Sequence, residues 1–245
     1  MADYDNRVIR GGVATGAIDA GLRAHMLRIY NYMLVGMALT GATAWLAADT
    51  PFGQVFYQMN SATGAIGLTG LGWVALFAPL ALVFLLSFGI NRMSVATAQI
   101  TFWVYAALVG IGIAPILLVY TGASVAETFF ITAATFGAMS LWGYTTKANL
   151  AGMGGFLFMG LIGLVIASVV NIFLQSSQMQ WIISVIGVFI FTGLTAYDTQ
   201  WIKEMYVANE DGTVAGRKAI IGALKLYLDF LNLFLFLLRF MGNRR

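Results

Sequence analysis

Seven apolar runs, separated by short polar connections, divide most of the chain. They lie near 29–48, 66–90, 95–120, 126–144, 152–174, 181–202 and 219–241. Each is long enough to cross the apolar core of a bilayer as a helix, which takes about 20 residues. Runs such as "GGFLFMGLIGLVIASVVNIFL" lack the ten-residue alternation that outer-membrane strands require. The pattern predicts an all-α integral membrane protein with seven transmembrane helices. It makes one domain over 29–245, preceded by a polar leader over 1–28. That leader is too long for the charged start of a cleavable signal peptide, and the first run leads on into six more.

Composition agrees with the pattern. Of 245 residues 60% are hydrophobic and 9% charged, where a soluble domain carries roughly a quarter charged. There is no cysteine, so disulfide and thiol chemistry are excluded. The net charge of +3 reads as a topology signal, not as a nucleic-acid surface. Glycine-dense stretches such as "GMGGFLFMGLIG" (152–163) favour close helix packing in lipid.

The basic residues set an orientation. Arg7, Arg10, Arg23 and Arg28 precede the first run; Arg92, Lys147, and Lys203 with Arg217 and Lys218 follow the second, fourth and sixth. The connections after the first, third and fifth runs hold none. Positive charge marks the cytoplasmic side, so the N-terminus is expected there. A seventh crossing then puts Arg239, Arg244 and Arg245 outside, against the rule. Crossing is still the expectation, because 219–241 is long enough and late charges weigh less than early ones.

Ionisable residues inside a membrane cost at least ~2.5 kcal/mol each and mark function by default. Asp198 lies in the sixth run, and Lys225, Asp229 and Arg239 lie in the seventh; Arg92 and Glu127 sit at mouths. Asp198 is five residues from Lys203, roughly 7 to 8 Å deeper at 1.5 Å per residue. Asp229 follows Lys225 by four residues and Lys218 by eleven, a depth of roughly 6 to 16 Å. Consecutive antiparallel helices are usually neighbours, so the two carboxyls can meet at one level.

Two close carboxylates cannot both ionise cheaply, and they titrate as a unit. A shared proton would pin the last two helices together. Its loss would part them or recruit a hard cation such as Ca²⁺, which suits oxygen ligands. Arg92, expected on the same side, is a candidate gate partner. The alternative is structural: Lys225 neutralises Asp229 at i,i+4, and Asp198 sits hydrated at the interface. Glu127, His25 and Asn171 read as an interfacial acid, a leader residue and a packing amide.

Known seven-helix classes divide on these residues. A retinal protein needs a deep lysine in its last helix and an acid on another, but Lys225 lies near an edge and 95–120 has no acid. An intramembrane aspartyl protease would share Tyr197-Asp198, but "LYLD" stands at 226–229 in place of its GxGD element. No proline follows Pro115, so its later Pro-Ala-Leu element is missing too.

The stretches "GIAPILLVYTGASVAETFFITAATFGAMSLWGYTTKANL" (112–150), "NIFLQSS", "FTGLTAYDTQWIK" and "ALKLYLDFLNLFLFLLRFMGNRR" resemble the Bax inhibitor-1 family, in its bacterial branch. The likeness runs from about residue 22 to the last. It implies a seven-helix bundle with the last helix central, and a pH-sensitive Ca²⁺ leak. It also implies paired aspartates at Asp198 and Asp229, with transient Ca²⁺ contact, and a second-helix arginine at Arg92.

The expected protein is thus a multi-pass protein of the bacterial inner membrane that passes or regulates Ca²⁺, gated by protonation. It is expected to be no enzyme and to need no cofactor. Its expected partners are the lipid bilayer and cations, not nucleic acid. The alternative is a stress-response protein that modulates a membrane partner, such as a membrane protease, without transport.

Overall fold

A computed structural model describes residues 2–59 and 66–245, with side chains described outside 2–19, 59 and 66. The side chains of Arg7 and Arg10 therefore lie outside the described residues. Seven α-helices account for nearly all of the described chain: α1 (Ala2–Asp49), α2 (Gly70–Gly89), α3 (Val95–Val119), α4 (Gly122–Thr145), α5 (Ala151–Leu174), α6 (Ser177–Glu204) and α7 (Gly212–Met241).

Each start has a local cause. The side-chain oxygens of Thr69, Ser94, Thr121, Ser176 and Asp211 accept backbone N–H groups that open α2, α3, α4, α6 and α7; such caps satisfy donors that no helical carbonyl reaches. Between α5 and α6 the chain turns at Gln175, in the left-handed region at φ 48°. Asn171, expected as a packing amide, uses its Oδ1 to accept the Ser176 N–H at 3.1 Å and so closes that turn.

Two boundaries differ from the sequence reading. Helix α1 is continuous from Ala2 and does not begin near 29. The second apolar run begins at Gly70, because 66–68 forms a strand, β2 (Ile66–Leu68), antiparallel to β1 (Tyr57–Met59). Thr69 then caps the helix.

The structure is that of an all-α membrane protein. Among the described residues α2 to α7 are long and apolar enough to cross a bilayer. Helix α1 is less apolar because Tyr30, Asn31, Tyr32, Thr40 and Thr43 interrupt its run. Those hydroxyls face protein: Thr40 donates to the Ala106 carbonyl at 2.9 Å, and Thr43 to that of Ala107 at 2.9 Å. They tie α1 to α3.

Helix α7 occupies the centre, packed against α1, α3, α4 and α6. Leu226, Tyr227 and Leu233 on it are fully enclosed. By contrast, α5 packs chiefly on α6, and α2 chiefly on α3.

Basic side chains organise one end of the bundle. Arg217 Nε donates to the Met93 carbonyl after α2 (2.8 Å), Lys203 Nζ to that of Tyr144 in α4 (2.7 Å), and Lys218 Nζ to that of Met205 after α6 (3.0 Å). Cations there meet the orphan carbonyls and the negative end of each helix dipole. The Gln200 side chain accepts the Leu150 N–H and donates to the Ala148 carbonyl, both at 2.8 Å, fastening the α4–α5 connection.

The opposite end is closed by the chain's last residues. Asn243 and Arg245 pair with the α3–α4 connection, through Thr121 N–H to the Asn243 carbonyl (3.1 Å) and Arg245 N–H to that of Val119 (2.9 Å). The Arg244 guanidinium lies over the Tyr120 ring. The last helix therefore runs the length of the bundle, as expected from its length.

Candidate functional site

The two aspartates predicted to meet lie on neighbouring helices. Asp198 on α6 and Asp229 on α7 are both buried, at 6% and 3% exposure. Helices α6 and α7 pack along much of their length, and the short link between them, 205–211, brings the same depths together.

The cation in the site is Lys225. Its Nζ contacts Asp198 Oδ1 at 2.8 Å and lies 4.6 Å from the centroid of the Trp201 ring. Lysine pairing within α7 at i,i+4 was the structural alternative for Asp229. The observed ion pair runs across helices to Asp198 instead, and it spends the ammonium there.

Asp229 is left without a full complement. Its Oδ2 is buried and has no hydrogen-bond donor among the described residues. A charged oxygen in that position would be neither solvated nor paired, at a cost of several kcal/mol.

Arg92 does not join them. It ends the 3₁₀ turn that follows α2, is exposed, and forms no salt bridge among the described residues. The reason is packing: α2 lies against α3 and not against α6 or α7. The cation beside Asp198 is Lys225 instead, whose neighbours Trp201 and Asp198 are one helical turn apart.

The remaining candidates are peripheral. Glu127 is exposed on the first turns of α4, and Arg239 is exposed near the end of α7. His25 is buried beside Tyr206, with ring centroids 5.7 Å apart.

Two hydroxyl networks were not foreseen. Tyr227, fully buried on α7, bonds Thr40 of α1 at 2.7 Å. Tyr30 of α1 bonds Ser140 of α4, which in turn bonds Thr199 of α6 at 2.9 Å. Thr199 follows Asp198, so a line of hydroxyls leads from α1 to the helix that carries the dyad. Threonine and serine spaced four apart, as at Thr195 and Thr199, were the available signal.

No cluster of three or more metal-ligating side chains exists among the described residues. Two carboxyls, one already held by lysine, supply few of the six to eight oxygens that Ca²⁺ takes.

Long apolar helices wrapped around two buried aspartates, one of them paired with a half-exposed lysine, define a polytopic α-helical membrane protein with an ionisable centre. The chain belongs to the Bax inhibitor-1 family: the family model described as inhibitor of apoptosis-promoting Bax1 matches residues 22–245. It is 46% identical over 228 residues to the inner membrane protein YbhL of Escherichia coli (strain K12), covering 92% of this chain and 94% of that protein. It is 47% identical over 246 residues to an uncharacterized protein of Rickettsia prowazekii (strain Madrid E), covering all of both. An uncharacterized membrane protein of Streptococcus pyogenes is 38% identical over 225 residues, 92% of this chain and 95% of that one. The bacterial inner membrane is accordingly where this multi-pass protein resides.

Proposed function

We propose that the protein passes cations across the inner membrane, Ca²⁺ chiefly, or sets the membrane's permeability to them, and that a proton held between Asp198 and Asp229 keeps the path shut. It crosses the bilayer seven times, α1 included, with its N-terminus in the cytoplasm. In this reading it is a permeability element and not an enzyme, and Ca²⁺ is cargo.

The observation that carries the reading is the unpartnered Oδ2 of Asp229, on a helix packed against the one whose Asp198 carboxyl lysine already engages. With one proton the set is neutral and holds α6 against α7. Without it, two negative charges face one positive charge in a medium of low dielectric. Repulsion then parts the helices, or a cation from the cytoplasmic side relieves it. Lys225 biases the set: it stabilises one carboxylate, so a single proton is enough to close the latch.

The test is ion flux from purified protein in liposomes between about pH 5 and 8. Ca²⁺ efflux should change with pH, and Asp198→Asn or Asp229→Asn should each remove most of that dependence. The double variant should add little to either single one, since the two groups act as a unit. Additive effects would mean that the aspartates act separately. Absence of flux at every pH would overturn the leak and favour the modulation of a membrane partner.

A further inference from the structure

Between α1 and α4 the bundle is split by an elongated cavity of about 770 Å³. The two helices stand apart, bridged where Tyr30 bonds Ser140, and Phe230 of the central helix forms part of the floor. The lining runs from Arg23 to Leu34 on α1 and from Ala133 to Tyr144 on α4, eleven helical steps on each, so the groove is roughly 16 Å long. Its rims face outward: Leu27 is 52% exposed, Leu34 58% and Leu141 64%.

The charge is all at one end. Arg23 is the one charged residue in the lining; it is exposed and forms no ion pair among the described residues. At the same end Lys203 lies over the Tyr144 ring, 5.3 Å from its centroid. No acidic side chain lines the cavity.

We infer that this groove seats an anionic phospholipid of the cytoplasmic leaflet, with its phosphate at Arg23 and an acyl chain lying along α1 and α4. A guanidinium is suited to phosphate because its fork matches two oxygens at once. The walls suit a polymethylene chain, which is about 4 Å across. A lone cation at the headgroup end of otherwise apolar walls favours an anionic lipid over an apolar partner helix, which brings no charge to meet it. The site stands whether or not the protein passes cations.

Gly137 offers a direct probe. It lines the groove, and a Cβ added there meets nothing within 4 Å, so Gly137→Cys leaves the packing intact. The chain has no cysteine, which makes that thiol the single one in the protein. Maleimide labelling of purified full-length Gly137→Cys in detergent should slow about fivefold more with added phosphatidylglycerol than with phosphatidylcholine, the worth of one basic side chain against an anionic headgroup. Adding Arg23→Gln should erase that difference. Gly163→Cys, equally open but on α5, should label at one rate throughout.

Equal protection by the two lipids would overturn headgroup recognition, and no protection by either would overturn the groove as a lipid seat. Protection by inorganic phosphate alone would mean an anion site without an acyl chain, and would overturn the proposal as well.

Discussion

Helices α5 and α7 are each long enough to span the bilayer, yet their surroundings are opposite. Over its most apolar eighteen residues α7 is 72% buried in protein, whereas α5 is 11% buried. Helix α5 has no ionisable residue and turns Phe158, Val165 and Phe173 outward. Helix α7 carries Lys225, Asp229 and Asn232, and is enclosed. In water the more apolar helix would be the one inside. In lipid the apolar helix is already solvated, and it is the polar groups that need protein around them.

The contrast predicts where substitutions hurt, and one of the largest effects lies in the ionisable set. Lys225→Met leaves the buried carboxylate of Asp198 without its partner, at a cost of about 3 kcal/mol, the lower end for breaking a buried pair because Lys225 is partly exposed. Denaturant unfolding in detergent measures it. Adding Asp198→Asn should restore much of the loss; no recovery would mean that the pair is not what holds α6 to α7.

Next comes the apolar pair. Leu233→Ala in α7 removes a fully enclosed side chain and should cost about 2–5 kcal/mol. Phe173→Ala in α5, at 82% exposure, should stay within about 0.5 kcal/mol. Comparable losses at the two positions would erase the distinction between the helices.

The smallest effect lies at the end of the bundle where the basic side chains gather. Burial, then the charges of Arg28 and Lys218, hold the His25 imidazole below its ordinary value of 6.5, while Glu210 pulls the other way. The folded protein keeps this histidine neutral and the unfolded chain takes up the proton. The stability it contributes is therefore present above about pH 6.5 and is lost as pH falls through that value and below. His25→Gln should shrink the drop in unfolding temperature between about pH 7.5 and 5.5 by on the order of a few °C.

Much of this arrangement was legible in the chain, because apolar runs and the depth of a charge are one-dimensional properties. The run at 95–120 became Val95–Val119, and that at 152–174 became Ala151–Leu174. Counting residues from Lys203 and Lys218 placed Asp198 and Asp229 at one level, where they are found. What could not be read was lateral: which helix stands beside which. Arg92 has the right depth class but sits on a helix that packs on α3. Lys225 lies one turn from Asp229, yet reaches across to Asp198 because that carboxylate borders the same face. The polar start of α1 hid its continuity, since a helix needs no apolar run when it lies outside the bilayer core.

The ion pair between Lys225 and Asp198 also bears on how the protein is made. A helix released singly into lipid must carry its own charges, at no less than ~2.5 kcal/mol for each aspartate or lysine. Alone, α6 exposes Asp198, and α7 exposes Lys225 and Asp229. Joined through the short 205–211 link they cover one another, with Trp201 shielding the ammonium. The least costly order of biogenesis is for the insertion machinery to retain α6 until α7 has emerged, and then to pass the two helices to the membrane as one hairpin.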